Sequence, residues 1–380
     1  MEKKLHKMIF TCGGTAGHIN PAIALANLFR ERQKDAEILF IGAKGGMEER
    51  LVPREGFQLK TLTISNFQRR LTPENIRHNL AAARNVVTSA RTAREYIKEF
   101  RPDAIVGMGG YASYPAMRQG IRMGIPTLVH EANAVPGLTT RMVADKADKI
   151  MVAFDESRNA YHHPERVVTV GMPVRSEFVR GDQAAMKKKL GYEGKPLVVS
   201  SWGSLGARDM NRQMVDFLRL ESEEKPFTHI HATGVSAWKW MPGAVADPGV
   251  KWSENPQIEL REYIYNMPEL MVAADLVISR GGASSLNEIA ASGTPSIIVP
   301  SPNVTDNHQE KNARILGNRG GAVVIRESEC SGKLLYETAK SILADPERAR
   351  KMGEAARSAA VLDSAERIYQ LIVDTVEERK

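Results

Sequence analysis

Four glycine-rich stretches carry the residues best suited to chemistry, and each follows a short apolar run: Gly13-Gly14-Thr15-Ala16-Gly17-His18, Met108-Gly109-Gly110-Tyr111, Trp202-Gly203-Ser204-Leu205-Gly206 and Gly281-Gly282-Ala283-Ser284-Ser285. A glycine turn between the carboxyl end of a strand and a helix offers free backbone N–H groups and the positive end of the helix dipole, which suits a phosphate or diphosphate. The first turn is neither a P-loop nor a G-x-G-x-x-G fingerprint, so spacing alone leaves a dinucleotide-binding domain open. His18 closes that turn, and Glu131 ends a later apolar run; both are candidate proton acceptors. A helix N-terminus would hold His18 neutral, as a base must be, but a histidine there can also be structural. Glu288 and Gln309 each have two readings. Ser285-Leu286-Asn287-Glu288 and Asp306-Asn307-His308-Gln309 both have the spacing of helix caps. If the helix starts instead near Ala283, Glu288 lies too far in to cap and its side chain is free for a ligand.

Positioning such residues takes alternating strands and helices. Strands are expected at 7–12, 38–41, 59–64, 104–107, 127–130, 150–154 and 167–170, with a helix from about Asn20-Pro21 to Arg32 and a long one over 73–100. The pattern restarts with strands at 197–201, 228–233, 258–263, 276–278 and 296–299, whereas residues 235–257, with Trp238, Trp240 and Trp252, show no clear helix. The repeated strand–turn–helix units describe an α/β chain of two domains, with the linker near Gly171-Met172-Pro173-Val174-Arg175.

The chain has 380 residues, enough for two domains. Cys12 and Cys330 give neither a disulfide framework nor a metal spacing, and a reducing cytosol fits. No apolar run approaches the roughly 18 residues of a membrane helix, and the start is too weakly apolar for a signal peptide. The net charge of +7 is uneven: residues 1–170 hold 25 Lys and Arg against 17 Asp and Glu, and the rest is close to neutral. Arg77, Arg84 and Arg91 are spaced by heptads on the long helix, joined by Arg94 and Lys98. They form either a solvated face or a surface for an anionic membrane, the latter helped by Phe67, Leu71 and Ile76. No zinc spacing or aromatic–basic run points to nucleic acid.

Several motif blocks then fall in one order. They are Gly13-Gly14-Thr15-Ala16-Gly17-His18, Gly109-Gly110-Tyr111, His130-Glu131-Ala132-Asn133, Gly171-Met172-Pro173-Val174-Arg175, Gly203-Ser204-Leu205-Gly206-Ala207, Gly282-Ala283-Ser284-Ser285-Leu286-Asn287-Glu288-Ile289 and His308-Gln309-Glu310-Lys311-Asn312-Ala313. Together they resemble the MurG family of glycosyltransferase family 28, and the likeness covers nearly the whole chain. Ala16, Ala132, Met172 and Trp202 stand where that family usually has Gly, Gln, Asn and Gly.

The resemblance implies a GT-B fold: two Rossmann-like domains facing a cleft, with a C-terminal helix crossing back to the first. Residues 1–172 with 364–380 would hold the acceptor and face the membrane; residues 173–363 would bind the UDP-sugar. It implies inverting, metal-independent transfer of GlcNAc from UDP-GlcNAc to lipid I, the undecaprenyl-linked MurNAc-pentapeptide, giving lipid II for peptidoglycan. No cofactor is implied, and D-x-D occurs nowhere. The place would be the cytoplasmic side of the cell membrane, held peripherally. By the same likeness Glu288 holds the ribose hydroxyls, Ala283, Ser284, Ser285, Leu286, Asn287 and Glu288 line the nucleotide, and Gln309 reaches the sugar. Ile264 meets uracil through its backbone, Asn133 contacts the donor, and Arg175 with Ser204 holds the diphosphate. Thr15, Ala16 and Gly17 meet the acceptor phosphates, and His18 is the first choice for base, with Glu131 second. Three other readings share these residues: a UDP-GlcNAc 2-epimerase, a non-catalytic nucleotide-sugar-binding subunit, and a glycolipid synthase with a diacylglycerol acceptor.

Overall fold

Short β-branched runs, each leading through a turn into a helix, fold into two sheets whose described strand pairs are all parallel. The computed structural model describes residues 5–64, 72–203, 206–246 and 256–379. Ser204, Phe67, Leu71 and Trp252, singled out above, lie outside the described residues, as does the side chain of Ile76. Contacts divide the chain into one unit of Met1–Val174 with Asp363–Lys380 and another of Arg175–Leu362.

The first unit holds β1 (Lys7–Thr11), β2 (Glu37–Ala43), β3 (Gln58–Leu62), β4 (Ala104–Gly107), β5 (Thr127–Glu131), β6 (Lys149–Val152) and β7 (Val167–Thr169), in the order β3-β2-β1-β4-β5-β6-β7. The second holds β8 (Leu197–Ser201), β9 (Thr228–Ala232), β10 (Ile258–Arg261), β11 (Leu276–Ser279), β12 (Ser296–Ile298) and β13 (Ala322–Val324), in the order β10-β9-β8-β11-β12-β13. Both are doubly wound, Rossmann-like sheets, and the central strands are buried on both faces, as crossover helices require.

One device sets the register of neighbouring strands. An aspartate just before a strand accepts the N–H that opens the strand beside it. Asp103 takes Lys7 N at 2.9 Å, Asp148 takes Thr127 N at 2.8 Å, and Asp275 takes Leu197 N at 2.6 Å. Each carboxylate satisfies a donor that lies beyond the ladder.

The first helix runs Ala16–Arg32, so it starts earlier than Pro21 suggests and puts His18 in its first turn. Pro21 sits inside it, where only one ladder bond is lost. Ala16 is the first helical residue, a position with an ordinary helical φ, so the absent glycine leaves no strain there. The long helix is unbroken over Pro73–Phe100, and Arg77, Arg84, Arg91 and Arg94 are exposed on it. No helix among the described residues is long and apolar enough to cross a membrane. Two short helices, Val235–Trp238 and Met241–Ala246, occupy the stretch that shows none in the sequence. Ala237, Met241 and Val245 form a buried i, i+4, i+8 row that joins Met214, Phe217 and Leu218 in the core.

The last helix, Ser364–Glu378, belongs to the first unit. Its buried Ile368, Tyr369, Ile372, Val373 and Val376 join the core of Phe10, Phe29 and Phe40. The Tyr369 ring lies 4.7 Å from that of Phe29, and Gln33 Nε2 donates to Tyr369 Oη at 2.9 Å. Ile372 has no exposed surface. Ile372→Ala is expected to lower unfolding free energy by about 2–5 kcal/mol in urea titration; a loss under about 1 kcal/mol would show that this helix is not part of the first unit's core.

Candidate functional site

In the second unit the winding of the sheet reverses between β8 and β11. The turn after β11 leads through Gly282, extended at φ −69 and ψ 135, into the helix Ala283–Ser292, which no side chain caps. Leu286 N donates to Gly282 O at 3.0 Å, so helix geometry supplies no acceptor to the N–H groups ahead of it. The helix therefore begins at Ala283, and Ser285 and Glu288 cannot form a capping box. The early start turns Ser284, Ser285 and Glu288 to one partly exposed side, while Leu286 and Asn287 are buried. Asn287 Nδ2 donates back to Ala283 O at 2.9 Å. With their side chains buried, Leu286 and Asn287 have their backbone to offer a nucleotide.

Glu288 is partly exposed yet closely surrounded; burial pushes its carboxyl up to about 7, and the nearby Arg175 guanidinium opposes that rise. Arg175 is exposed and precedes the helix Ser176–Arg180. Structure thus brings Arg175 beside Glu288, which stands on a helix whose start no side chain caps. Gln309 lies on the next helix, His308–Asn318, which has no side-chain cap. Asn307 donates to Glu310 at 2.8 Å instead, and Gln309 Oε1 accepts from Ser301 N at 2.9 Å, so the cap reading fails here too. A Cβ on Gly281 would lie 2.3 Å from Gln309 O, so only glycine lets the turn touch this helix backbone to backbone. Ile264 is buried in the loop after β10, between the exposed Tyr263 and Tyr265.

Beneath the turn after β8 runs a buried polar chain that sequence reading misses. Glu221 Oε2 lies 2.7 Å from His229 Nδ1, and Ser200 Oγ lies 2.7 Å from both His229 Nε2 and His231 Nδ1. His231 Nε2 lies 3.0 Å from Asn211 Oδ1, and Asn211 Nδ2 donates to Thr233 O at 2.8 Å. Burial pushes Glu221 well up, holds His229 down to about 3 and lowers His231 as well, each towards its neutral form. The bonds then run one way: Glu221 O–H to His229, His229 Nε2–H to Ser200, Ser200 O–H to His231, His231 Nε2–H to Asn211. Asn211 stands in the first turn of the helix Arg208–Glu224, at the end of the glycine turn. The only hint is His-Ile-His in a strand whose two faces are both covered. Trp202 fills the space above, its ring 6.5 Å from His231 and 5.8 Å from the Arg280 guanidinium. The indole replaces a glycine by turning into the core, where it is 4% exposed.

In the first unit the winding reverses between β1 and β4, and both glycine turns lie there. A Cβ on Gly110 would come 1.9 Å from Gly13 O, so the two turns are in backbone contact. His18 Nδ1 is 3.2 Å from Gly13 O and 3.3 Å from Thr15 Oγ1, and its ring edge lies beside Gly109. Thr15 precedes the helix and Gly17 lies within it. Glu131 is buried and saturated. Its Oε1 accepts from Asn133 N at 3.0 Å and Asn133 Nδ2 at 2.9 Å; its Oε2 accepts from Gly137 N at 2.9 Å and Thr140 Oγ1 at 2.7 Å. With four donors on it, this carboxylate braces the loop that bears Asn133, and the geometry is poor for a base. Among the described residues, no group of three or more His, Cys, Asp or Glu is set to hold a metal ion.

The buried chain has a direct test. Ser200→Ala leaves both flanking histidines without the hydroxyl, so unfolding free energy is expected to fall by about 1–3 kcal/mol in urea. An unchanged midpoint would mean that the chain does not form.

Comparison with known proteins places this geometry. The model of the glycosyltransferase family 28 N-terminal domain matches residues 8–152, and that of its C-terminal domain matches residues 198–368. The chain is 38% identical over 374 residues to the UDP-N-acetylglucosamine–N-acetylmuramyl-(pentapeptide) pyrophosphoryl-undecaprenol N-acetylglucosamine transferase of Acetivibrio thermocellus, covering 98% of this chain and 99% of that one. It is 39% identical over 367 residues to the protein of the same name from a Thermoanaerobacter species, covering 96% and 99%. Among solved structures it is similar in fold to MurG of Acinetobacter baumannii, at 23% identity and a TM-score of 0.73, covering 97% of this chain and 99% of that one. A UDP-GlcNAc 2-epimerase from Neisseria meningitidis shares the fold at 12% identity and a TM-score of 0.66, covering 97% and 100%. Identity to named relatives over nearly the whole length, with both domain models matched in order, shows that the chain belongs to the MurG family of glycosyltransferase family 28.

Proposed function

We infer that this chain transfers GlcNAc from UDP-GlcNAc to lipid I, forming lipid II, with inversion and without a metal. The observation that carries the reading is Glu288 beside Arg175 at an open helix end, in a chain whose full-length relatives bear that name. On the second unit, the N–H groups at Ala283, Ser284 and Ser285, the turn with Ser204, and Arg175 take the diphosphate. Glu288 accepts the ribose hydroxyls, the backbone of Ile264 meets uracil, and Gln309 turns to the sugar. On the first unit, the turn of Thr15, Ala16 and Gly17 takes the acceptor phosphates, and Asn133 meets the donor. The acceptor hydroxyl attacks the anomeric carbon as the bond to UDP breaks; His18 Nε2 takes the hydroxyl proton, and UDP leaves with its charge held by N–H groups and Arg175.

Turnover with lipid I and UDP-GlcNAc in EDTA tests the whole reading. Lipid II should form at the same rate with and without added Mg²⁺. Epimer formed from UDP-GlcNAc alone, with no transfer, would replace the reading with the isomerase.

Glu288 tests the nucleotide site. Loss of a charged hydrogen bond removes about 1.5–3 kcal/mol, so Glu288→Ala should weaken UDP roughly 10- to 150-fold in calorimetry. The carboxyl stands above its ordinary 4.5 in the folded chain. Between pH 4.5 and 7 the folded chain therefore keeps a proton that the unfolded chain loses, and stability falls as pH rises through that window. Glu288→Gln should melt above the parent at pH 8 and like it at pH 4. UDP binding by the parent should tighten from pH 6 to 8. Equal UDP affinity in parent and alanine variant would put the ribose elsewhere.

A peripheral place at the cytoplasmic face of the membrane fits the excess base in residues 1–170 and the exposed Arg77, Arg84, Arg91 and Arg94. Each basic residue at an anionic surface contributes about 1 kcal/mol. Co-sedimentation with anionic vesicles should fall as salt rises; equal binding to neutral vesicles would remove the electrostatic part.

A further inference from the structure

Glu48 opens the helix Glu48–Arg54 and has no exposed surface. Its carboxylate is cradled by three glycines: a Cβ would come 2.4 Å from Oε1 at Gly13, 2.9 Å from Cγ at Gly42 and 2.1 Å from Oε2 at Gly46. Oε1 accepts from Gly14 N and from Ala43 N, both at 3.3 Å, while Oε2 is buried with no hydrogen-bond partner among the described residues. A buried carboxylate under a turn that the proposed function gives to an anionic acceptor is costly to keep for packing alone.

The geometry shows what it does there. Gly14 N–H and Gly13 C=O belong to one peptide group. The N–H side donates to Glu48, and the C=O side accepts from His18 Nδ1 at 3.2 Å. A carbonyl oxygen can only accept, and Thr15 Oγ1, 3.3 Å from Nδ1, can accept as well, so both contacts are satisfied when Nδ1 carries the hydrogen and Nε2 is the basic nitrogen. We propose that Glu48 is a positioning residue that acts on His18 through the Gly13–Gly14 peptide, forming a carboxylate–peptide–imidazole relay that orients the ring, selects its Nδ1–H tautomer and stabilises the imidazolium formed when Nε2 takes the acceptor's proton.

The relay follows the logic of a carboxylate–histidine pair with a peptide inserted. A negative charge on the N–H side polarises the peptide and makes its oxygen a better acceptor. In the transfer step the acceptor O–H bond breaks, the oxygen bonds to the anomeric carbon, and the proton ends on Nε2. Glu48 never receives it. The charge of Glu48 is felt on this turn: burial first and then Glu48 hold up the thiol of Cys12 and the hydroxyl of Tyr111. His130 on β5 is a further titratable group near His18, with Glu131 beside it; burial above all, and His18 to a lesser degree, hold His130 down, while Glu131 opposes them. The inference rests on His18 as the base, and the test separates the two.

His18 is followed by ¹⁵N NMR in the whole apo protein and in Glu48→Gln, which keeps an acceptor for Gly14 N–H and nearly the same volume. The parent should show the Nδ1–H tautomer. In Glu48→Gln the His18 midpoint should drop by roughly half a unit to one unit, the effect of one charge at this range. The acidic limb of kcat/KM should move down by the same amount, with donor KM unchanged. A carboxylate that only packs would lower stability and leave the His18 titration where it is. An Nε2–H tautomer in the parent overturns the relay without any variant; so does an unchanged midpoint in Glu48→Gln. His18→Gln checks the other half: parental turnover in that variant, together with a shifted His18 midpoint in Glu48→Gln, would leave the relay standing and remove His18 as the base.

Discussion

Both units depend on backbone touching backbone at the carboxyl ends of their central strands. In the first unit the touching turns follow β1 and β4, on either side of the point where the winding reverses; in the second the contact joins the turn after β11 to the helix after β12. Gly110 against Gly13 O, and Gly281 against Gln309 O, leave no room for even a methyl group. The closeness has a chemical effect. With side chains excluded, the N–H groups and carbonyls of the turns become the surface presented to a ligand. In the first unit a carbonyl of the turn meets a histidine; in the second the start of the helix His308–Asn318 lies against the turn that opens the helix of Glu288.

Much of this was legible in the sequence because it rests on local rules. Strand–turn–helix units repeat with clear apolar runs, and glycines mark their carboxyl ends, so two α/β domains follow from pattern alone. Two boundaries misled. Pro21 looks like a helix start but sits inside one, since the first turns of a helix tolerate proline. Residues 235–246 hid two helices because their apolar row is only three residues long and lies among Pro, Gly and Trp. What the sequence could not show was pairing at a distance. Glu48 is one of two adjacent glutamates at a helix start, and nothing local separates it from the exposed Glu49. Glu131 looked like a base until its four donors were placed. The cap readings of Glu288 and Gln309 rested on spacing that the actual helix starts do not honour.

Departures from the family pattern find local reasons as well. Ala16 occupies a helical position where a side chain is welcome. Trp202 sends its ring into the core beside Arg280, which in turn donates to Val299 O at 3.1 Å and pairs with Glu327. The indole thus backs an arginine that ties the ends of β11 and β12 together, and the larger residue reinforces the turn from below.

The chain from Glu221 to Asn211 carries a consequence for how this protein can change over generations. Between its ends each member is donor to one neighbour and acceptor from the other, so direction passes along it like a row of arrows. A replacement in the middle does not merely lose one bond. It leaves arrows facing each other or facing nothing, in a place that water does not reach. Drift through single steps is therefore blocked, and lineages should exchange the whole chain from Glu221 to Asn211 for an apolar set, or keep all of it.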